Sequence, residues 1–579
     1  MTRFANVGSA AIFLFLSVLL VISRITVVIA VHPVVFLALS IAIIVLIFRL
    51  TQGYRASLWA LAAIVGFCAI IAAWAISTQF LYDAGHDGHS YHLTAIWDIA
   101  DGWSPFLSPH DNIWVDSYPS GYWVLQSYLV STTGLLLSGK SLTIGLMVAV
   151  ALLAYGFFLD HCSDLVAHYR NFWAFLFAVF VVANPVTVTQ IMTHYIDGSL
   201  YLLGSAFALF LLSDTFSANR FAKWSAVGCI ILMVNTKTAS LYYVPMIVFA
   251  SLMAGWALKK IELSHFQFLI NWILSRGILL GMAFIVGITV IGYKPYVTNI
   301  LDHGELLYPS VDKIMATNIP ENLEPLPVPM KFLYGILSRT EDSVWPVLVT
   351  APVHLKIPGT FQLSEFKDLD FDTRRGGFGP FFSLALILSF AVYLLSKLTQ
   401  QHDSNGPLKR KGDAMALFAI ILFGASVLFP ESWWARYVPF TWLVVLLLTL
   451  SSLFHAKRGS SPIASQILVA VIVLCFAGNI VAGLLGSLRQ SWQTYQRTAV
   501  IEKMKNYPII ELTLIHDPRV IKDDQSTAIT YSDHTWTTLL RERGIKTRIT
   551  SEFRKEDCEI SGFFDGNILW CAKNKPRDN

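Results

Sequence analysis

The densest group of ionisable side chains lies in residues 81–105, which read LYDAGHDGHSYHLTAIWDIADGWSP. The segment directly follows a long apolar block, and a carboxylate there is suited to take a proton from a sugar or lipid hydroxyl. Asp87 is the favoured candidate for the base, and Asp83 and Asp197 are the alternatives. Gly88 adds no Cβ that would keep a sugar from the backbone, and Tyr91 and His92 lie one helical turn further along.

Two other interpretations of this segment stay open. It can be a solvated loop beside a membrane, or His86 and His89 can bind a metal together with Asp87 and His92. The spacing matches no standard zinc signature. We therefore expect no cofactor to be required, although a divalent metal such as Mg²⁺ or Mn²⁺ is compatible with these ligands.

Asp197 and Lys237 are charged residues between apolar blocks. Asp197, in MTHYIDGSLYLL, is a second candidate for the chemistry, and the alternative role is a helix N-cap. Lys237, in MVNTKTASLYYVP, has no other charge nearby, and a lysine at membrane depth costs roughly 2.5–3.5 kcal/mol on insertion scales. We expect Lys237 to bind a lipid phosphate; the alternative is a side chain that reaches up to the interface.

Further candidate ligands lie in two predicted outer loops. Arg436, in ESWWARYVP, is suited to bind a phosphate or to pair with Glu431. The segment 293–376, with about 80 residues, is too long for a passive connection. It adds the candidate substrate ligands Lys294, Glu305, Arg374 and Arg375.

The composition indicates what must hold these residues in place. Of the 579 residues, 55% are hydrophobic and 14% charged, and the mean hydropathy is +0.57; soluble domains carry roughly 25% charged residues. The apolar residues form long blocks, which predicts an all-α polytopic membrane protein because a lipid-exposed backbone must satisfy its own hydrogen bonds. The net charge of +4 is too small and dispersed for nucleic-acid binding.

About thirteen transmembrane helices are predicted, near residues 8–30, 33–48, 57–79, 141–158, 172–192, 198–214, 223–236, 240–258, 272–292, 377–397, 413–430, 438–454 and 464–488. The block 119–137 is more polar, and we expect it to be re-entrant or to lie on the surface.

Short loops rich in lysine and arginine set the orientation. These loops contain Arg49 and Arg55, Arg220 and Lys223, Lys259 and Lys260, Lys409 to Lys411, and Lys457 with Arg458. With all of them in the cytoplasm, the N-terminus lies inside, and the loops 80–140 and 293–376 lie outside. The expected location is a bacterial inner membrane.

The tail after residue 488 is predicted to be a small extracytoplasmic α/β domain. Residues 527–532, 545–550 and 567–573 favour strands, and Thr535 to Arg543 favours a helix that Gly544 ends. Cys558 and Cys571 can pair if this domain lies outside a reducing compartment. The expected domains are therefore 1–488, in the membrane, and 489–579, outside it.

The order of these motifs resembles the GT-C membrane glycosyltransferases, such as protein O-mannosyltransferases and aminoarabinose transferases. Their first large outer loop carries an acidic motif near a helix end, a Gly-Trp pair and a later proline-containing helix entry. The matching residues are HDGHSYH at 86–92, Asp101-Gly102-Trp103, Tyr118-Pro119, Asn184-Pro185 before Asp197, and Thr236-Lys237. The loop has Asp-Gly where many relatives have Asp-Glu, and it lacks a WWDYG-like motif, which argues against sequon-directed N-glycosylation.

The resemblance implies a polyprenyl-phosphate-linked sugar donor, a lipid, glycan or protein acceptor, and reaction on the outer face with inversion. Asp87 would be the general base, and His92 or Asp197 would orient the acceptor or the sugar. Cationic side chains would stabilise the leaving phosphate. The candidates for binding substrate are Lys237, Arg436, Lys294, Tyr91, Glu305, Arg374 and Arg375.

Three other functions stay open. A transporter or flippase for a lipid-linked sugar also needs many spans, although it favours repeats and midplane charges. An O-antigen ligase or polysaccharide polymerase would use arginines of a large outer loop, such as Arg374 and Arg375. A sensor or scaffold with an outer domain is the third alternative.

Overall fold

The computed structural model describes residues 2–25, 32–83, 85–165, 169–259, 264–309, 319–340, 351–399, 406–455, 463–514, 531–551, 554–564 and 568–573. Lys260, Lys457 and Arg458 of the basic loops, and 527–530 of one predicted strand, lie outside these ranges.

The described chain is mainly helical. Its helices are α1 (Thr2–Ile25), α2 (Pro33–Gln52), α3 (Tyr54–Thr78), α4 (Leu93–Ala100), α5 (Ile113–Ser117), α6 (Gly121–Thr133), α7 (Ser141–His161), α8 (Arg170–Val182), α9 (Pro185–Gln190), α10 (Asp197–Ser217), α11 (Arg220–Val234), α12 (Ser240–Leu258), α13 (His265–Trp272), α14 (Ile278–Val286), α15 (Thr298–His303), α16 (Val328–Leu337), α17 (Phe382–Leu398), α18 (Pro407–Leu428), α19 (Thr441–His455), α20 (Ile463–Met504) and α21 (Tyr531–Glu542).

Each of the thirteen predicted spans corresponds to a helix or a helical run. Within the described ranges, nine segments are long and apolar enough to cross a membrane: α1, α2, α3, α7, α10, α12, α18, α20 and the run His265–Ile291, in which π-helical turns join α13 and α14. The other four predicted spans contain the shorter helices α8, α11, α17 and α19. The predicted all-α polytopic membrane fold is thereby confirmed.

Helix α6 occupies the ambiguous block 119–137. It has 13 residues, whereas a spanning helix needs roughly 20. Its polar side chains Tyr122 and Gln126 are buried within the protein. Both features agree with the predicted re-entrant or surface-lying helix.

Three of the predicted basic loops, at residues 49–55, 220–223 and 409–411, gather at one end of the bundle. Asn6, Gln52 and Asn219 line one cavity, so the starts of α1 and α11 lie beside the end of α2. The Nζ of Lys411 lies 5.8 Å from the ring centroid of Phe216, which brings the start of α18 to the end of α10. One end of the bundle is therefore rich in lysine and arginine.

Four strands form a small sheet near the C-terminus: β1 (Ile510–Leu514), β2 (Thr547–Ile549), β3 (Ile560–Phe563) and β4 (Ile568–Ala572). The order is β2-β1-β4-β3, with β1 parallel to β2 and β4 antiparallel to both β1 and β3. Because α21 lies between the parallel strands in sequence, β1, α21 and β2 form a βαβ unit. The predicted helix is present but begins at Tyr531, so the end of the predicted strand 527–532 is helical. The predicted strands 545–550 and 567–573 correspond to β2 and β4, whereas β1 and β3 were not predicted.

Helix α20 connects the bundle to this sheet. It runs without interruption to Met504, so the predicted domain division at residue 488 falls inside the helix. Beyond it, a single apolar core joins the sheet domain to the loop that follows α3. This core contains Tyr82, Trp97, Trp123, Ile501, Trp536, Phe564 and Trp570.

Candidate active site

Arg436 lies at the centre of a buried ionic cluster. It belongs to the short turn Ala435–Tyr437 between α18 and α19. Its Nη1 is 3.2 Å from Oδ2 of Asp87 and 3.6 Å from Oδ2 of Asp197, and its Nε is 3.1 Å from Oδ1 of Asp372. Three carboxylates from three separate segments therefore converge on one guanidinium group.

Aromatic rings surround the same guanidinium group. The Cζ of Arg436 lies 5.2 Å, 4.5 Å and 5.5 Å from the ring centroids of Tyr195, Trp434 and Tyr437. Burial alone would lower the pKa of Arg436, but the charges of Asp372, Asp197 and Asp87 outweigh it and raise the pKa well above the usual value. The arginine therefore stays cationic in a water-poor environment.

Lys237 is held at the edge of this cluster. It lies between α11 and α12, and its Nζ donates to Oδ1 of Asp197. The same Nζ is 4.4 Å from the ring centroid of Tyr437, and the side chain is buried. The side chain of Lys237 is therefore directed into the protein. It does not extend to the membrane interface, which was the alternative role.

Asp197 is the first residue of α10, where the helix dipole favours a negative charge. Besides Lys237 and Arg436, the Nε2 of Gln190 lies 3.5 Å from its Oδ2. The Oε1 of Gln190 in turn accepts from the N–H of Gly198 at 2.7 Å. The carboxylate is thus fixed by two cations and one amide.

Asp87 is the most accessible of the three carboxylates in the cluster. Its side chain is 22% exposed, whereas that of Asp372 is 14% and that of Asp197 is 2% exposed; the neighbouring Asp83 is 0% exposed. It directly precedes the π-helical turn Gly88–His92. A Cβ at Gly88 would collide with the carboxylate of Asp83. The structure therefore explains Gly88 by packing within the protein rather than by approach of a sugar.

Asp83 is fully buried and anchors the loop. It accepts hydrogen bonds from the N–H of Gly85 at 2.7 Å and of His194 at 2.6 Å, and it lies 2.8 Å from Nδ1 of His194. Burial raises the pKa of Asp83, but the His194 hydrogen bond, the charges of His194 and His89, and the Gly85 N–H outweigh it and lower the pKa. Asp83 thereby fixes the first outer loop to the segment before α10.

Tyr91 and His92 follow Asp87 in the π-helical turn, and their rings pack against each other. Nδ1 of His92 accepts from Nε1 of Trp123 at 2.7 Å, so the imidazole is neutral with its proton on Nε2. Burial lowers the pKa of His92 from 6.5 to about 4. The ring of Tyr91 packs 4.3 Å from that of His92, centroid to centroid.

The two histidines proposed as metal ligands have different surroundings. Nε2 of His86 lies 3.1 Å from Oγ of Ser90, and the buried ring of His89 packs 5.1 Å from that of Trp536. In the part of the chain that the structure describes, no group of three or more His, Cys, Asp or Glu residues is arranged to hold a metal ion. His86 and His89 therefore do not belong to such a group within the described ranges.

Asp372 is a member of the cluster that the sequence did not identify. Its Oδ2 accepts from Nε of Arg374 at 2.7 Å, and its Oδ1 accepts from Nε1 of Trp434 at 3.0 Å. Burial raises its pKa, but the charges of Arg374 and Arg436 outweigh this and lower the pKa. Asp372 is one of three alternating acids in DLDFD, and spacing alone does not single it out.

Arg374 joins the cluster through Asp372 and also lies over Trp434, with its Cζ 3.9 Å from the ring centroid. Its buried Nη1 has no hydrogen-bond partner among the described residues. The cluster therefore contains three carboxylates and three cations, and its formal charges cancel.

The other predicted ligands have their described contacts elsewhere. Nζ of Lys294 donates to Asp116, and Nη1 of Arg375 donates to the carbonyl oxygen of Ala351 at 2.5 Å. Glu305 is exposed and follows the end of α15. The structure thus joins Asp87, Asp197, Lys237, Arg436 and Arg374 in one site. Arg375 lines a cavity together with Asp372 and Arg374, whereas the described contacts of Lys294 and Glu305 do not include the cluster.

The comparisons with known proteins found a likeness among solved structures. No protein-family model matches the chain, and no curated protein does. Among solved structures, the chain is similar to ArnT from Cupriavidus metallidurans bound to undecaprenyl phosphate. The TM-score is 0.37 and the identity 13%, over 84% of this chain and 89% of that one.

Proposed function

We propose that this protein is an integral-membrane glycosyltransferase of the GT-C kind. It would move a sugar from a polyprenyl-phosphate carrier to an acceptor hydroxyl on the extracytoplasmic face of a bacterial inner membrane. The observation that carries the proposal is the buried pair of cations, Lys237 and Arg436, beside the accessible carboxylate of Asp87. Asp87 follows the end of α3, and the basic residue Arg55 lies at the start of the same helix. The order of the sequence motifs supports the same function.

Lys237 and Arg436 are suited to bind the phosphate of the donor. Both cations are buried and face aromatic rings, where an ionic contact is stronger than in water because the local dielectric constant is low. Arg436 presents several N–H groups to a phosphate, and Lys237 provides a compact charge. Both would stabilise the negative charge that develops on the leaving phosphate.

The balance of charges in the cluster makes donor binding an exchange of ion pairs. The three carboxylates already neutralise Arg436, Lys237 and Arg374. An incoming phosphate adds negative charge and competes with Asp87 and Asp197 for the same cations. Asp87 would leave Arg436 as the phosphate arrives, so the base becomes available only when the donor is bound. This predicts that Asp87 acts as a base only in the complex with donor.

In the transfer step, the acceptor oxygen attacks the anomeric carbon while Asp87 takes its proton. The new C–O bond forms on the face opposite the phosphate, and the bond from the anomeric carbon to the phosphate oxygen breaks. The electron pair leaves with the polyprenyl phosphate, and the configuration inverts. Asp372 and Arg374 hold Arg436 in place, and Asp197 fixes Lys237 until phosphate replaces it.

The experiment measures polyprenyl phosphate released by the purified protein in detergent, from polyprenyl-phosphate-linked sugars. Lys237→Ala should weaken donor binding by about 10- to 100-fold, because an interaction with a charged group contributes roughly 1.5–3 kcal/mol. Lys237→Arg should restore part of the affinity, since the charge remains but the geometry differs.

Lys367→Ala is the control, because this lysine is exposed in the same outer region; its donor affinity should equal that of the wild type. Unchanged affinity in Lys237→Ala would contradict the phosphate role. Movement of a lipid-linked sugar across liposomes without release of polyprenyl phosphate would identify a flippase instead.

A further inference from the structure

The C-terminal domain contacts the turn that carries Asp87. Oγ1 of Thr535, in α21, donates to the carbonyl oxygen of His89 at 2.7 Å. The same hydroxyl lies 3.5 Å from Oγ1 of Thr94 in α4. Thr535, His89 and Thr94 are all buried. One hydroxyl therefore connects a distant domain to the peptide two residues after Asp87.

Trp536, the next residue of α21, packs against the same loop. It is fully buried, and its ring lies 5.1 Å from that of His89 and 5.7 Å from that of Tyr82, centroid to centroid. On its other side it stacks on Phe564 of the sheet domain at 4.1 Å, with an angle of 7° between the planes. The indole thus fills the space between the first outer loop and the C-terminal sheet.

We propose that Thr535 and Trp536 are positioning residues for the transfer reaction, through which the C-terminal domain holds Asp87 in its reactive place. This inference rests on the proposed function. Asp87 directly precedes the turn Gly88–His92, so a movement of the turn moves Asp87 with it. Its carboxylate lies 3.2 Å from Nη1 of Arg436. A shift of about 1 Å in a reacting group can cost on the order of 10²-fold in rate, so the turn must be fixed.

The domain acts mainly on the base. Arg436 also pairs with Asp87, but Lys237 and Arg436 keep their partners Asp197 and Asp372 on segments other than the turn. Because phosphate competes with Asp87 for Arg436, loosening the contact of α21 with the turn should lower kcat without weakening donor binding. A role in stability alone would not produce this split.

The test compares two threonine hydroxyls of the same domain in the full-length protein. Thr535→Val removes the bond to His89 with little change of shape. Thr513→Val removes an equivalent bond within the domain, in which Oγ1 of Thr513 donates to the carbonyl oxygen of Thr550 at 2.9 Å. Thr535→Val should lower kcat about five- to tenfold, which corresponds to one hydrogen bond, with no rise in donor Kd. Thr535→Ser, which keeps the hydroxyl, should restore kcat.

Amide hydrogen exchange of residues 85–92 provides a readout that does not depend on activity. Exchange should increase in Thr535→Val and in Trp536→Leu, and it should match the wild type in Thr513→Val. Unchanged exchange and unchanged kcat in Thr535→Val would overturn the positioning role. If the wild type transfers no sugar yet Thr535→Val still loosens residues 85–92, the proposed function fails while the contact with the turn stands.

Discussion

At the scale of single residues, exposure separates the acidic groups. Asp83 is enclosed by hydrogen bonds from Gly85 and His194, and Asp197 is held by Lys237. Asp87 has one ionic partner and an exposed face. A base must reach the proton that it removes, so Asp87 is the carboxylate best placed to meet an acceptor.

Asp87→Asn should keep the fold and should lower transfer by about 10²–10⁴-fold, the usual contribution of a general base. Donor binding should be at least as tight as in the wild type, because Asp87 no longer competes with phosphate for Arg436. The substitution is nearly isosteric, and asparagine cannot take the proton. The measurement is the rate of polyprenyl phosphate release at saturating donor. Asp83→Asn is the matched comparison, and it should lower thermal stability because it disturbs the buried bonds to His194. Normal transfer in Asp87→Asn, with loss in Asp197→Asn, would reassign the base.

His92 should make the stability of the protein depend on pH. Burial lowers its pKa from 6.5 to about 4 in the folded state. Between these values the unfolded chain binds a proton at His92 and the folded chain does not, so stability falls as pH falls through this window. The full effect is on the order of 3 kcal/mol.

His92→Gln keeps a hydrogen-bond acceptor for Trp123 and cannot titrate in this window. The melting temperature in detergent at pH 7.5 and at pH 5 measures the effect. The melting temperature of the wild type should fall more between pH 7.5 and pH 5 than that of His92→Gln. Equal losses in the two proteins would show that His92 does not titrate as its burial implies.

Much of the site followed from residue type and local context. Asp197, Lys237 and Arg436 stood out because charges beside apolar blocks are rare, and the structure brings them together with Asp87. Asp372 could not be identified, because its partners Trp434 and Arg436 are about 60 residues away in sequence and such pairings depend on the tertiary fold. Lys294 was placed near a phosphate, yet it pairs with Asp116 for the same reason.

At the scale of elements, long apolar blocks gave the helices of the bundle reliably, because burial in lipid leaves few alternatives to a helix. The ends of elements were less predictable. Helix α20 continues to Met504, since its polar second half packs on the C-terminal domain through Ile501. Strands β1 and β3 have only five and four residues, too few for a clear pattern of alternation.

The sheet domain is closed by a disulfide between Cys558 and Cys571, which are 13 residues apart in sequence. Closing a loop of this size contributes about 3 kcal/mol in the chain-entropy model. Replacing both cysteines with alanine should therefore make the domain more sensitive to proteolysis in urea. Cys68→Ala, at a free cysteine of α3, is the control and should behave as the wild type. Peptide mapping without reductant should recover the two cysteines joined; two free thiols in protein from native membranes would contradict the bridge.

At the scale of the whole molecule, the two ends of the bundle differ in charge and in what they carry. The ends of α2 and α10 and the starts of α1, α11 and α18 gather near the basic residues. The ionic cluster lies in the loops between other helix ends, and the apolar core that contains Tyr82 and Trp536 fixes the C-terminal domain to the first of these loops. The first loop and the C-terminal domain must therefore lie on the same side of a membrane.

The rule that basic loops stay in the cytoplasm then predicts that this side is the outer one. A reporter fused after Asn506, just beyond α20, should be silent if it works only in the cytoplasm and active if it works only outside. A fusion after Gly53, between α2 and α3, is the control and should behave in the opposite way. Cytoplasmic activity at Asn506 would place Asp87 and its cluster inside the cell. Asp87 could then meet only acceptors in the cytoplasm, so that outcome would also exclude transfer on the outer face.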